Sequence, residues 1–178
     1  MPYLVKVFGL PRSGTTWVAN WLMTANVRCL HDPAMRYRSG RLLRWAEEEV
    51  ARGYIPAISC TAYWMCTDVV ATDGPLLSLA GNVSKIQSSL GGLGLPALPE
   101  WLLAAWRDFT QPEAPGGNTF SLASLRNEKV ARQVWRTLLG EVPFDALRHA
   151  ELLRAHIAPA ADEIARIRNV VEHYRRVA

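Results

Sequence analysis

Residues Lys6 to Leu22 read K-V-F-G-L-P-R-S-G-T-T-W-V-A-N-W-L, and the rest of the chain is organised around them. An apolar run, Leu4, Val5, Val7 and Phe8, is broken only by Lys6 and suits a buried strand. Gly9, Pro11, Ser13 and Gly14 then end it. From Thr15 onward, Trp17, Val18, Trp21 and Leu22 recur at helical spacing. A strand, a tight turn and a helix make a cradle for an oxyanion. The first backbone N–H groups of a helix lack intrahelical partners and lie at the positive end of its dipole. Ser13, Gly14, Thr15 and Thr16 supply those amides, and Gly14 lets the main chain approach an anion closely. The hydroxyls of Thr15 and Thr16 add donors, and Arg12 adds a fixed charge. The residues point to a site for a phosphate-like group.

Downstream, strands and helices alternate. Strands are predicted at Val27–Leu30, Ala57–Ala62, Leu76–Leu79 and Thr119–Leu122. A helix capped by Ser39 runs to about Arg52, with Leu42, Leu43, Ala46 and Val50 inward. Others run from Asn82 to Leu90, from an Asn127 cap to Gly140, and from an Asp145 cap to about Ile157. A C-terminal helix falls within 158–178, amphipathic through Ile164, Ile167, Val170, Val171 and Tyr174. Glycine and proline cluster at 91–99 and 112–118 around a short helix near Trp101–Phe109, so 91–118 is expected as a loop or lid insertion. The whole predicts one α/β domain over 1–178: a parallel sheet of about five strands with helices on both faces.

Composition narrows the partners. The 178 residues suffice for one domain with a real core. The net charge of +4 suits an anionic ligand. No basic cluster interleaved with aromatics points to nucleic acid. No apolar run is long enough for a membrane span, and no leader segment is evident at the N-terminus. Cys29, Cys60 and Cys66 are odd in number and show no C-x-x-C spacing, so they read as free thiols of a reducing, cytoplasmic compartment. No His or carboxylate stands at metal-ligand spacing around them, so no metal is expected.

The wording of the turn is more specific. The P-loop of nucleoside triphosphatases places a Lys after its last glycine. Here Thr15 follows Gly14, and the cation comes earlier, at Arg12. P-R-S-G-T-T-W, Pro11 to Trp17, resembles the 5′-phosphosulfate-binding loop of the sulfotransferase family at all seven positions. The resemblance implies a P-loop nucleotide-kinase-like fold and 3′-phosphoadenosine 5′-phosphosulfate as co-substrate. It also implies a small-molecule or carbohydrate acceptor offering a hydroxyl or amine. By the same resemblance Ser13, Gly14, Thr15 and Thr16 hold the 5′-phosphate, Arg12 lies against the bridging oxygen, and Trp17 stacks on adenine. The family's 3′-phosphate motif, an Arg at a strand end and a Ser eight residues on, is half present. Ser88 stands at the Ser position, but Ala80 replaces the Arg. Lys85, Arg107 and Arg126 are candidate substitutes for that cation.

A proton acceptor is also needed. His31 and Asp32 follow the second predicted strand, where open α/β sheets place their ligands, and either can serve as the base. Asp32 before Pro33 also suits a plain turn, Trp17 a plain core position, and Ser88 a plain helix hydroxyl. His149, His156 and His173 fall on predicted helices as surface or packing residues. Two rival functions stand beside sulfuryl transfer: a small P-loop kinase, disfavoured by the missing Lys, and a nucleotide-binding module that has lost turnover with the arginine at Ala80.

Overall fold

The first strand made is the middle strand of the sheet. The structure, a computed structural model, describes residues 2–35, 37–155 and 161–176. Its strands are β1 (Val5–Gly9), β2 (Val27–His31), β3 (Ile55–Cys60), β4 (Leu76–Leu79) and β5 (Thr119–Phe120). They form one sheet in the order β2-β3-β1-β4-β5, and every pair is parallel. Val7 sits between Ser59 of β3 and Leu77 of β4. The chain leaves β1 toward β2 on one side and leaves β4 toward β5 on the other. The outgoing connections part above the C-terminal ends of these neighbours, which is where such sheets open a crevice.

Helices cover both faces. They are α1 (Thr15–Leu22), α2 (Ser39–Ala51), α3 (Thr67–Val70), α4 (Val83–Gly92), α5 (Glu100–Phe109), α6 (Glu128–Leu139), α7 (Ala146–Arg154) and α8 (Ala161–Arg176). Side chains alternate across β1, so its residues feed two cores. Val5 and Val7 join Trp17, Trp21, Trp135 and Leu138 under α1, α6 and α7. Leu4 and Phe8 join Leu42, Trp64, Leu102, Trp106 and Val171 under α2, α5 and α8. The expected α/β architecture, five parallel strands with helices on both faces, is the one found.

Lys6 lies on the Leu4 and Phe8 side of β1 and is 1% exposed. Its Nζ donates to the Thr72 carbonyl at 2.5 Å and to Thr72 Oγ1 at 2.8 Å. Burial pulls the ammonium down to about 8, against the opposing pull of Asp73.

Several boundaries differ from expectation for local reasons. β3 starts at Ile55, because its N–H bonds the Asn26 carbonyl and it pairs with Val27, and it ends before the chain turns at Ala62. β5 stops at Phe120, since Ser121 and Ser124 close a turn. Ser39 is the first residue of α2 rather than its cap; Arg38 holds that place without a side-chain bond. Val50 faces outward and Glu49 takes the buried position, bonded to Arg52 Nη1 at 2.9 Å. Asn82, Asn127 and Asp145 cap α4, α6 and α7 as expected. Within 91–118, Leu102 and Trp106 of α5 are buried, and Trp106 meets Trp64 edge-on at 5.2 Å. The expected end of the α7 helix at Ile157 lies outside the described residues, as do His156 and the His173 side chain.

Candidate functional site

The turn after β1 carries two left-handed residues. Arg12 has φ 68° and Gly14 φ 107°. Alternation of this kind turns successive N–H groups toward one point, a concavity that suits an anion. Gly14 is the N-cap of α1 and, having no side chain, caps none of the helix's first donors itself. A methyl on Gly14 would lie 2.8 Å from Leu122 Cδ2, and one on Gly9 would lie 2.3 Å from Ser13 Oγ. A methyl at either position would displace a neighbouring side chain, and at Gly14 it would also meet the left-handed φ. Ser13 is buried, and its Oγ has no hydrogen-bond partner among the described residues. A buried hydroxyl left this way costs free energy until something supplies its bond.

These residues open into a cavity of about 290 Å³. Arg12, Ser13, Gly14, Thr15, Thr16 and Trp17 line one side, and His31, Asp32 and Thr61 the other. Ile167 and Val170 of α8 complete it with apolar wall. Arg12 Nε donates to Ser89 Oγ at 3.1 Å, which ties the turn to α4.

His31 and Asp32 form a dyad. Asp32 Oδ1 accepts from the Thr61 N–H at 2.7 Å and from Thr61 Oγ1 at 3.0 Å. Its other oxygen, Oδ2, lies 3.1 Å from His31 Nε2. A hydrogen on Nε2 would point at this carboxylate and leave the lone pair on Nδ1. Thr15 Oγ1 and Thr16 Oγ1 stand 3.3 Å from the same Nε2. Asp32 itself is held in the left-handed region at φ 43°. Non-glycine residues rarely adopt this conformation, and such residues concentrate at functional sites.

The structure thus brings Arg12, Ser13, Gly14, Thr15, Thr16, His31 and Asp32 into one cavity. It treats two expected residues differently. Trp17 is 8% exposed, its Nε1 donates to the Leu152 carbonyl of α7 at 3.1 Å, and its ring packs against Trp21 and His149. It also lines the cavity. Ser88 is exposed and lines no part of the cavity; the neighbouring Ser89 is the one that meets Arg12. Lys85, Arg107 and Arg126 are likewise exposed and absent from the wall. Thr61, Leu122, Ala155 and the α8 residues escaped the sequence reading. Thr61 follows the C-terminal end of β3, a position that could have singled it out.

The remaining titratable groups are structural. His149 is 3% exposed, donates from Nε2 to the Leu125 carbonyl at 2.9 Å, and sits among Trp17, Trp21 and Phe144. Burial pushes the free thiols of Cys29 and Cys60 up, which keeps them protonated and unreactive. Among the described residues, no helix is long and apolar enough to cross a membrane. No family model, curated protein or solved structure matches this chain.

Proposed function

We propose that the protein is a sulfotransferase, moving a sulfuryl group from an adenosine phosphosulfate to an acceptor hydroxyl or amine. One observation carries the reading: an anion cradle and a carboxylate-oriented histidine face each other across a single cavity. The cradle suits the 5′-phosphosulfate end of the co-substrate. The amides from Ser13 to Thr16 and the partnerless Ser13 hydroxyl would bind the 5′-phosphate. Arg12 would stabilise the charge that develops on the bridging oxygen as it leaves. A preorganised charged donor of this kind lowers a barrier by about 3–4 kcal/mol.

The acceptor oxygen would bond to sulfur while the bond from sulfur to the bridging oxygen breaks. The electron pair leaves on the 5′-phosphate, and the acceptor's proton passes to His31 Nδ1. Asp32 fixes the tautomer and stabilises the imidazolium that results. This divides the roles of the two residues: His31 is the base and Asp32 its positioning residue.

The far end of the nucleotide fits less completely. Ala80 offers no charge, and Ser88 stands outside the cavity. Arg12 is the sole lysine or arginine among the described residues lining it. That favours a second reading, in which the co-substrate is adenosine 5′-phosphosulfate, without the 3′-phosphate.

Thermal unfolding of the purified protein separates the possibilities. A ligand at 100 times its dissociation constant stabilises by about 2.7 kcal/mol, or about 5–10 °C in a domain of this size. A shift with 3′-phosphoadenosine 5′-phosphate supports the family's usual co-substrate. A shift with adenosine 5′-phosphosulfate alone supports the second reading. A response only to ATP with magnesium would replace both with a kinase, and no response would leave a degenerate module.

A further inference from the structure

The permanent charges lining the cradle cavity cancel. Among the described residues they are Arg12 and Asp32, one positive and one negative. With His31 neutral, the lining therefore carries no net charge. A phosphate seated there would depend on backbone amides and on the dipole of α1, a helix of eight residues. It would also share the cavity with a carboxylate. An anion that gives up its hydration needs an opposite charge to meet it.

His31 is the group in this wall that can supply that charge near neutral pH. Its side chain is 16% exposed, so a proton can reach it from solvent. Every group around it is compatible with an imidazolium. Asp32 Oδ2 stands 3.1 Å from Nε2, and the Thr15 and Thr16 hydroxyls of the cradle stand 3.3 Å from the same atom. Thr61, at the end of β3, holds the other Asp32 oxygen. From α8 the cavity receives only Ile167 and Val170. On its other side His31 adjoins a groove lined by Cys29 and Tyr37, with no Lys, Arg, Asp or Glu among the described residues. Arg12 is thus the one cation in either wall that opposes a second proton, and an anion on the cradle would offset it.

We propose that His31 is also a phosphate-binding residue: the 5′-phosphate of the product nucleotide is held together with a proton on His31, and the nucleotide leaves as that proton is lost. The proposal rests on the sulfuryl-transfer reading above. In that reaction the acceptor oxygen bonds to sulfur, the bond from sulfur to the bridging oxygen breaks, and His31 receives the acceptor's proton. Imidazolium and terminal phosphate arise in the same step. The phosphate of a phosphosulfate carries one negative charge, whereas a terminal phosphate near neutral pH carries nearly two. His31 therefore holds the product more strongly than the co-substrate. By linkage, the nucleotide strengthens proton binding by the same factor that the proton strengthens nucleotide binding.

Titration calorimetry of the full chain with 3′-phosphoadenosine 5′-phosphate and with adenosine 5′-phosphate, in buffers of different ionisation enthalpy, counts the protons. Near neutral pH, about 0.3–0.8 proton should be taken up per nucleotide bound, and affinity should fall about three- to tenfold between about pH 7 and 8.5. The sign is diagnostic: a cationic site drives protons off a phosphate, so uptake belongs to a protein group. His31→Gln should abolish the uptake and flatten the pH dependence. In the wild-type chain labelled with 15N-histidine, one imidazole should move to its doubly protonated position on adding nucleotide, while the buried His149 stays in place. Binding without uptake, or uptake with no histidine signal moving, overturns the phosphate-binding role of His31 and leaves the transfer reading intact. Failure of both nucleotides to bind overturns the transfer reading, and this role with it.

Discussion

Arg12, Gly14 and Asp32 combine unusual backbone geometry with an intended charge or close approach, so each makes a separable prediction. Arg12→Ala should lower turnover about 10²–10³-fold, with the melting temperature little changed. Gly14→Ala should cost about 1–3 kcal/mol, because alanine resists φ 107° and its methyl meets Leu122; the drop is read from the melting temperature. Asp32→Asn keeps the shape and an oxygen for Thr61 but turns a donor toward His31 Nε2. It should reduce kcat about 10²–10⁴-fold with KM for the nucleotide nearly constant. Lys6 adds a pH effect. Folded, it sheds its proton near pH 8; unfolded, it holds it to about 10.5. Between those values the unfolded chain binds more protons, so folding is favoured as pH rises. Wild type should gain up to about 3 kcal/mol relative to Lys6→Met between pH 8 and 10.5, measured by denaturant titration. The difference cancels the thiols and tyrosines that titrate in the same range. At this scale the cradle was legible because glycine, arginine and threonine were written next to one another. Thr61 was not, since its bond to Asp32 exists only once β3 lies in register with β2, Ser59 beside His31.

Helix α7 is latched to α1 by the Trp17 indole on the Leu152 carbonyl, by Arg148 Nη2 on the Asn20 carbonyl at 2.6 Å, and by the His149 ring. Trp17→Phe keeps an aromatic body and loses the indole donor, taking one hydrogen bond from the half-buried Leu152 carbonyl. It should cost about 1–2 kcal/mol, read as a lower denaturation midpoint at constant slope. A much larger loss of nucleotide affinity than of stability would instead assign Trp17 to the adenine. Helix and strand existence was plain from periodicity and from Asn82, Asn127 and Asp145, whose side chains cap α4, α6 and α7. Where the reading failed, tertiary contacts overrode local pattern. Between the glycines and prolines of 91–118, Leu102, Trp106 and Phe109 pack into the core. Val50 and Glu49 traded faces because the helix turned its stripe toward Leu42 and Ala46.

The molecule has two cores on one sheet, and each contains tryptophan: Trp64 and Trp106 on one side, Trp17, Trp21 and Trp135 on the other. A sheet whose central strand supports both should unfold as one unit. Intrinsic fluorescence and far-ultraviolet circular dichroism should therefore give coincident transitions, and so should a variant with Trp45, Trp64, Trp101 and Trp106 all changed to Phe, which reports from the Trp17, Trp21 and Trp135 side alone. Separated transitions would show the two faces to be independent. Strand order belongs to this scale too. Alternation of elements gave parallel strands, but nothing in the residues of β1 announced that β3 and β4, rather than β2, would flank it.

That order has a consequence during synthesis. β1 leaves the ribosome with its neighbours Ala57–Cys60 and Leu76–Leu79 still unmade. At about 5–20 residues per second, β4 follows β1 by roughly 4–15 s. Until residue 60 is made, this fully buried strand has no native partner on either edge, and until residue 79 is made one edge stays open. It is sticky on both faces and open to strand addition from other chains. A nascent chain of this design presents its most aggregation-prone segment first and longest, and should crosslink to a ribosome-associated chaperone through β1 until residue 79 has emerged.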